Sequence, residues 1–391
     1  MCMMPEIIED IKCSLMFEYK NKENIYCIGS MEKDKYFFVS EHAVTVYMAI
    51  IKQMDGSCTL EDIKNKEQLK SGIPCEVIDK IYDVCLRCNL IKNIPYKEKE
   101  FNEVKVTYKD VFKVNISSFS KWCKKIDLKV YTFVIILMAI IIIGSIFKIG
   151  EVFQHICWNY VVGDIRSLVY AVIISTVSLI LHELCHAIAG SKLNLPIKNV
   201  HFATFTYMTF ACYVKLPGIY FLKPIKRIII WLAGIFMNFF LIAVSIFMYD
   251  FMGEQGSLFL TMVIVCNTSI IISAIIPFYI SDGYFILSTI CKAPNLRKNI
   301  FQNIRKVFKK GKFYFSSWIY IVYFVCTIIF SGFAIITIFF SFLNNIFSAL
   351  MEGQTYRKII IDNINIFLVF ISLIVSNIIR LIIKKKNNIL S

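Results

Sequence analysis

The chain has 391 residues, of which 57% are hydrophobic and 18% charged, and its net charge is +15. Soluble domains usually contain about 25% charged residues, so this composition excludes a wholly soluble globular protein. The charge is divided unevenly: residues 1–120 hold 17 basic and 19 acidic residues, whereas residues 121–391 hold 26 and nine. We therefore expect a soluble N-terminal domain followed by a basic membrane domain in contact with lipid. We expect no nucleic-acid partner, because the basic residues are dispersed among apolar segments.

The first 120 residues predict a small α+β domain of the winged-helix kind. Residues 1–12 lack the apolar core of a secretory signal, so this domain is expected to stay in the cytoplasm. The patterns favour a strand at 36–39, a helix capped by Ser40, a helix opened by the capping pair Thr59 and Asp62, a third helix from about Pro74 and a strand at 90–94. Residues 102–120 are expected to form a linker to the membrane.

Six stretches are long and apolar enough to cross a bilayer, which takes about 20 residues each. They are residues 130–147, 167–190, 228–249, 257–281, 316–343 and 363–382; whether the last two cross completely stays open. With the N-terminus inside, the inner segments hold 22 Lys and Arg against four outside, a bias that sets orientation. We expect a mainly α, multi-pass protein of the cytoplasmic membrane with both termini in the cytoplasm.

The membrane domain is expected to comprise a core at 121–290, then a basic cytoplasmic loop and two C-terminal helices at 291–391. Between the second and third spans, residues 200–214 alternate polar, aromatic and β-branched side chains. This pattern predicts a strand or hairpin at the cytoplasmic surface, with an ordinary connecting loop as the alternative. Such a strand can hold an extended substrate, which makes Phe202, Thr204 and Thr206 candidate substrate contacts.

The pattern His-Glu-x-x-His occupies His182–His186, at the inner end of the second predicted span. Histidines four residues apart lie on one face of a helix, so both imidazoles can reach one Zn²⁺ ion. Glu183 follows the first histidine and is placed to take a proton from a zinc-bound water. A pair of core histidines is the alternative, but an ionisable group inside a bilayer is costly and indicates a functional site.

A hydrolytic zinc site needs a third protein ligand, and Asp282 is the candidate. Besides Glu183, it is the only carboxylate of the membrane domain at the inner end of a predicted span, and both spans run inward to the same depth. Pro277 and Gly283 permit non-helical backbone that turns the carboxylate toward the metal. The other histidines, expected on surfaces or loops, are His42, His155 and His201, the last being the remaining donor on the inner side.

Together these motifs resemble the site-2 protease family of intramembrane zinc metalloproteases. That family pairs HExxH on one span with Asp-Gly on a later one, matched here by His182, Glu183 and His186 and by Asp282-Gly283. The resemblance covers about residues 165–290. The sequence Asp282-Gly283-Tyr284 is most similar to the peptide zinc metalloprotease branch, which is found near bacteriocin and modified-peptide genes.

A further motif of that family, Ala-Gly-Pro-x-x-Asn, is matched in part by residues 233–238, with Ile235 in place of proline. The resemblance implies that Asn238 faces the substrate carbonyl. The asparagine that the family often places before the Asp-Gly proline is absent, the equivalent stretch being residues 273–277.

Residues 25–95 resemble, more weakly, the leader-peptide-recognition domain of the pyrroloquinoline-quinone peptide chaperone kind. In that family the leader adds to the sheet as an extra strand, so the resemblance implies a leader peptide as partner of residues 1–120.

The sequence thus predicts an intramembrane zinc endopeptidase in which His182, His186 and Asp282 hold the metal and Glu183 acts as general base. Its substrate is expected to be either a ribosomally made, bacteriocin-like peptide that is being matured or a single-span membrane protein such as an anti-sigma factor. The N-terminal domain favours the first. A transporter or peptide-binding scaffold without catalytic activity is the alternative from another class.

Overall fold

The computed structural model describes residues 4–19, 23–94, 108–155, 165–205, 209–252, 254–278, 280–293, 296 and 315–351. Within them the chain is mainly helical, with a small sheet domain at the N-terminus, as the sequence predicts. The strands are β1 (Ile11–Phe17), β2 (Ile25–Ser30), β3 (Lys35–Ser40), β4 (Tyr108–Asn115), β5 (Asn199–Phe205) and β6 (Thr209–Val214). The helices are α1 (Glu41–Gln53), α2 (Leu60–Ser71), α3 (Cys75–Arg87), α4 (Ser117–Lys125), α5 (Leu128–His155), α6 (Ile165–Lys192), α7 (Pro224–Met248), α8 (Glu254–Ile275), α9 (Asp282–Ile290) and α10 (Phe315–Met351).

The N-terminal domain packs α1, α2 and α3 against one face of the antiparallel sheet β1-β2-β3. Ile28 of the sheet and Ile50 of α1 are fully buried in this core. The predicted capping box is confirmed, since Asp62 N donates to Thr59 Oγ1 and Thr59 N donates to Asp62 Oδ2 at 2.9 Å. Ser40 precedes α1 as predicted, but its side chain makes no capping hydrogen bond.

Two predictions for the first 120 residues are wrong. The strand expected at 90–94 is reduced to one bridge between Ile7 and Ile91, because the partner segment turns at residues 9–10 and enters β1. The expected linker at 102–120 contains β4, which pairs antiparallel with β5. The partner of an edge strand lies far along the chain, so the local pattern of residues 108–115 does not reveal the pairing.

The hairpin predicted between the second and third spans is present as β5 and β6, with Val200 opposite Val214. Because β4 pairs with the other edge of β5, the strand order of this second sheet is β4-β5-β6. Val200 and Val214 pack in one apolar cluster with Ala187 of α6. The sheet therefore lies against the end of α6 that carries the HExxH motif.

Four helical segments are long and apolar enough to cross a membrane, which makes the protein membrane-associated: Leu128–Val152, Val169–Lys192, Pro224–Phe251 and Ser257–Ile275. They correspond to the first four of the six predicted stretches. The fifth falls in α10, where the apolar part found among the described residues, Tyr320–Phe333, is shorter than a span. The sixth, at 363–382, lies outside the described residues.

A buried arginine joins the N-terminal domain to the start of α7. The register of β1 shifts between Leu15 and Phe17, where a bulge interrupts the regular pairing at Met16. Arg227 Nη2 donates to the Met16 carbonyl at 2.8 Å, and its guanidinium lies 4.7 Å from the centre of the Phe17 ring. The N-terminal domain is therefore held against the helix that also lines the candidate site.

Candidate metal centre

His182 and His186 project from one face of α6, because four residues make about one helical turn. Both are buried, and their ring centres are 4.8 Å apart. His186 Nδ1 lies 2.7 Å from the main-chain carbonyl oxygen of Ile230 on α7. A carbonyl can only accept, so Nδ1 carries a proton, and in the neutral imidazole Nε2 presents a lone pair.

His182 is held in the same manner by a side chain of α7. Its Nδ1 lies 2.5 Å from Asn238 Oδ1, and Asn238 Nδ2 donates to Asn267 Oδ1 at 2.7 Å. Asn238 is fully buried, and both ends of its amide are engaged. Asn238 thus orients a histidine of the candidate site, and its expected role in facing the substrate carbonyl stays a prediction.

Asp282 reaches the histidines because the chain breaks between α8 and α9. Ser281 caps α9, its Oγ accepting from the N–H of Tyr284 and donating to Ile276 O at 2.6 Å. Gly283 is required here, because a Cβ atom at this position would lie 2.0 Å from the carbonyl oxygen of Ile275. This close turn places the Asp282 carboxylate at the start of α9, beside α6.

The three predicted ligands converge. Asp282 Oδ2 lies 3.0 Å from His182 Nε2 and 3.3 Å from His186 Nε2, and His186 Nε2 is buried without a hydrogen-bond partner. With both imidazoles neutral, three lone pairs face one another, an arrangement that is stabilised by a proton or a metal ion between them. Zinc bonds of about 2.0–2.1 Å in tetrahedral geometry place ligand atoms about 3.3 Å apart, so the spacing fits Zn²⁺.

Gly234 on α7 allows this helix to approach the two imidazoles closely. A Cβ atom built there would lie 2.5 Å from His182 Nε2 and 2.6 Å from His186 Nε2. It would also lie 2.6 Å from His182 Cδ2, so it would meet the side of the ring and not the lone pair of Nε2. Only glycine therefore allows α7 to pack this closely on the two imidazoles, and the donor atoms and their spacing fit a bound zinc ion.

Glu183 adjoins this cluster and contacts β6. Its Oε2 accepts from the N–H of Val214 at 2.8 Å. The N–H of Val214 therefore points away from β5, and in an extended strand the main chain of Cys212, two residues earlier, points to the same free edge. The free edge of β6 leads directly to Glu183.

The predicted substrate contacts are distributed differently. Phe202 and Thr204 lie on β5, the central strand, whose main chain is paired on both sides, so β5 cannot take up another strand. The Phe202 ring stacks on Phe112 of β4, with ring centres 4.5 Å apart. Thr206 lies outside the described residues. The edges available for strand addition belong to β4 and β6, and the edge of β6 is the one that adjoins Glu183.

His201 is not brought to the metal centre. Its Nδ1 lies 3.0 Å from Asp110 Oδ2, and its ring stacks on Tyr213. The hydrogen bond from Tyr213 Oη, followed by that from His201, holds the pKa of the Asp110 carboxyl below its usual range. His201 thus joins β4, β5 and β6 to one another, and among the described residues the cluster able to hold a metal consists of His182, His186 and Asp282.

Sequence reasoning missed Gly234 and Asn267. Gly234 carries no signal of its own outside the partly matched motif. Asn267 did offer one, because a carboxamide in the middle of an apolar span is costly and marks a functional position.

Comparison of the chain with models of protein families, with curated proteins and with solved structures finds no match.

Proposed function

We propose that the protein is an intramembrane zinc endopeptidase. The observation that carries the proposal is the convergence of His182, His186 and Asp282 at a spacing that suits zinc ligands, with Glu183 next in sequence to the first histidine. A bound zinc ion would polarise the scissile carbonyl and lower the pKa of a water toward about 7. Glu183 takes the proton of the attacking water and delivers it to the leaving amine. The Val214 N–H holds the Glu183 carboxylate in place for both transfers.

The proposed enzyme is a multi-pass protein of the cytoplasmic membrane with both termini in the cytoplasm. This placement rests on the excess of Lys and Arg in the segments on one side of the predicted spans. It puts the inner end of α6, the metal centre and the second sheet near the cytoplasmic face.

The substrate is held as an added strand on the free edge of β6. The support is the direction of the main chain at Cys212 and the contact of the last residue of that strand with Glu183. A peptide paired there gains main-chain hydrogen bonds and is extended, which exposes its carbonyl. The carbonyl then lies beside the general base.

Replacing Asp282 tests the metal site. Asp282→Asn is expected to weaken zinc binding by more than the roughly 100-fold that loss of an outer partner can cost, because a ligand is removed. The matched control is Asp250→Asn, at a carboxylate that pairs with Lys148 at 2.9 Å at the opposite end of α7. Zinc affinity is measured by chelator competition on the purified proteins. Equal affinity in both variants and the wild type would contradict the proposed ligand set.

We further propose that the natural reaction is maturation of a ribosomally made peptide whose leader binds the N-terminal domain. β1 and β3 are the edge strands of the first sheet, and β1 is held at Met16 by Arg227. β3 is the other edge, where the carbonyl of Tyr36 accepts a weak contact from the Cys88 thiol at 3.8 Å that an incoming strand can replace. A leader added at β3 is tethered near the metal centre, because the domain is docked on α7.

Leader dependence is tested on the full-length protein. A precursor with its leader is expected to be cut with a kcat/KM at least about tenfold above that of the same peptide without leader, because tethering raises the effective concentration of the cleavage site to about millimolar. Isolated leader peptide added in trans should inhibit only the first reaction. Equal cleavage of both substrates would favour regulated cleavage of a membrane-anchored signalling protein instead.

A further inference from the structure

A chain of buried side-chain amides runs from the metal centre into α8. His182 Nδ1 bonds to Asn238 Oδ1, and Asn238 Nδ2 bonds to Asn267 Oδ1. Asn267 Nδ2 in turn donates to Ser178 Oγ at 3.0 Å and to the main-chain carbonyl of Val263 at 2.8 Å. Asn238 and Asn267 are both fully buried. These hydrogen bonds form a relay that runs from His182 through Asn238 to Asn267. The relay links α6, α7 and α8 through polar groups shielded from lipid and water.

The direction of every bond in this relay is set at its far end. The Val263 carbonyl can only accept, so the amide nitrogen of Asn267 must face it and Oδ1 must face α7. Asn238 must then present its nitrogen to Asn267 and its oxygen to His182. His182 Nδ1 must consequently carry a proton, which leaves the lone pair of Nε2 for the metal.

We propose that Asn267 is a positioning residue of the metal centre. It fixes the orientation of the Asn238 amide and, through it, the tautomer and ring orientation of His182. This inference rests on the proposed function, because it takes His182 to be a metal ligand. Groups that orient a ligating histidine commonly change metal affinity about 10- to 100-fold when they are removed.

The other histidine does not need such a relay. His186 Nδ1 faces the carbonyl of Ile230, and a carbonyl can only accept a hydrogen bond. The Asn238 amide could accept or donate at the same place by turning over. A second carboxamide at position 267, anchored on Val263 O, removes that choice.

Measuring zinc and cobalt binding tests the inference. Asn267→Leu is expected to raise the Kd for zinc about 10- to 100-fold and to alter the visible absorption of the cobalt-substituted protein, because His182 loses its fixed orientation. The matched control is Thr261→Val on the same helix, where the threonine is 3% exposed and lies 3.3 Å from Tyr249 Oη instead of joining the relay. Its Kd should stay within about twofold of the wild type.

A double-variant comparison separates positioning from packing. If Asn267 acts through Asn238, Asn267→Leu adds little to the loss of affinity already caused by Asn238→Ala. Ser178→Ala should have a much smaller effect than Asn267→Leu, because Val263 O still fixes the amide. Asn267→Ala, which introduces no overlap, replaces Asn267→Leu if the latter does not give folded protein.

The outcomes distinguish the two proposals. Wild-type protein that binds zinc, together with unchanged affinity in the Asn267 variants, overturns the positioning role and leaves the proposed enzyme intact. Additive losses in the double variant also overturn it. Wild-type protein that binds no zinc overturns the proposed function and this inference together.

Discussion

Glu183→Gln is expected to abolish measurable proteolysis while zinc stays bound. Glutamine cannot take a proton from the attacking water, and general acid–base catalysis contributes about 100- to 10,000-fold to a rate. The metal ligands are untouched, because the Asp282 contacts involve His182 and His186 and the Val214 N–H retains an amide oxygen as acceptor. Single-turnover cleavage of a short peptide and zinc content of the same preparation are the measurements.

The matched control for this prediction is Glu151→Gln, an exposed glutamate at the far end of α5. It should leave both the cleavage rate and the zinc content unchanged. Cleavage by Glu183→Gln at a rate near that of the wild type would contradict the role of Glu183 as the base. Loss of zinc together with activity would instead indicate that Glu183 supports the metal site.

Gly234→Ala is expected to abolish zinc binding, and cleavage with it. The added methyl carbon would overlap both rings, at 2.5 Å from His182 Nε2 and 2.6 Å from His186 Nε2, and would push the imidazoles out of the positions in which they can bind the metal. Alanine favours a helix by up to about 1 kcal/mol over glycine, so α7 itself is not weakened. Loss of zinc without loss of helical content therefore identifies displaced ligands and not a weakened helix. Chelator competition and far-ultraviolet circular dichroism provide the two readings.

Gly150→Ala is the control for this steric effect, because a Cβ at Gly150 meets no atom within 4 Å. It should bind zinc as the wild type does. Wild-type affinity in Gly234→Ala would mean that zinc binding does not depend on the positions of these two imidazoles, and the proposed centre would then be wrong.

The proposed site is assembled from three helices. Helix α6 supplies His182, His186 and Glu183; α7 supplies Gly234, which allows close packing on the imidazoles, and the amide of Asn238; the first residue of α9 supplies Asp282. The second sheet adds a free edge at Glu183 without contributing a ligand. This division predicts separable defects: changes on α7 and α9 affect metal binding, whereas changes at β6 affect the substrate.

The sequence by itself determined the parts of this protein that depend on local spacing. Two histidines one turn apart share a helix face whatever surrounds them, and the Thr59–Asp62 capping box needs only residues three apart. Asp282 could also be predicted as a ligand, because the length and direction of an apolar span determine the depth at which the span ends. The alternating pattern of residues 200–214 was enough to indicate a hairpin.

Only the tertiary structure decided the roles that depend on distant partners. β4 became a strand because β5 offers an edge, and that contact joins residues far apart in the chain. Asn238 bonds to His182 and Asn267 because α6 and α8 pack around it. Gly234 matters because its missing Cβ faces two nitrogens of another helix. Packing of one helix against the next is not encoded in any short window of sequence, so these roles emerge only when the helices are assembled.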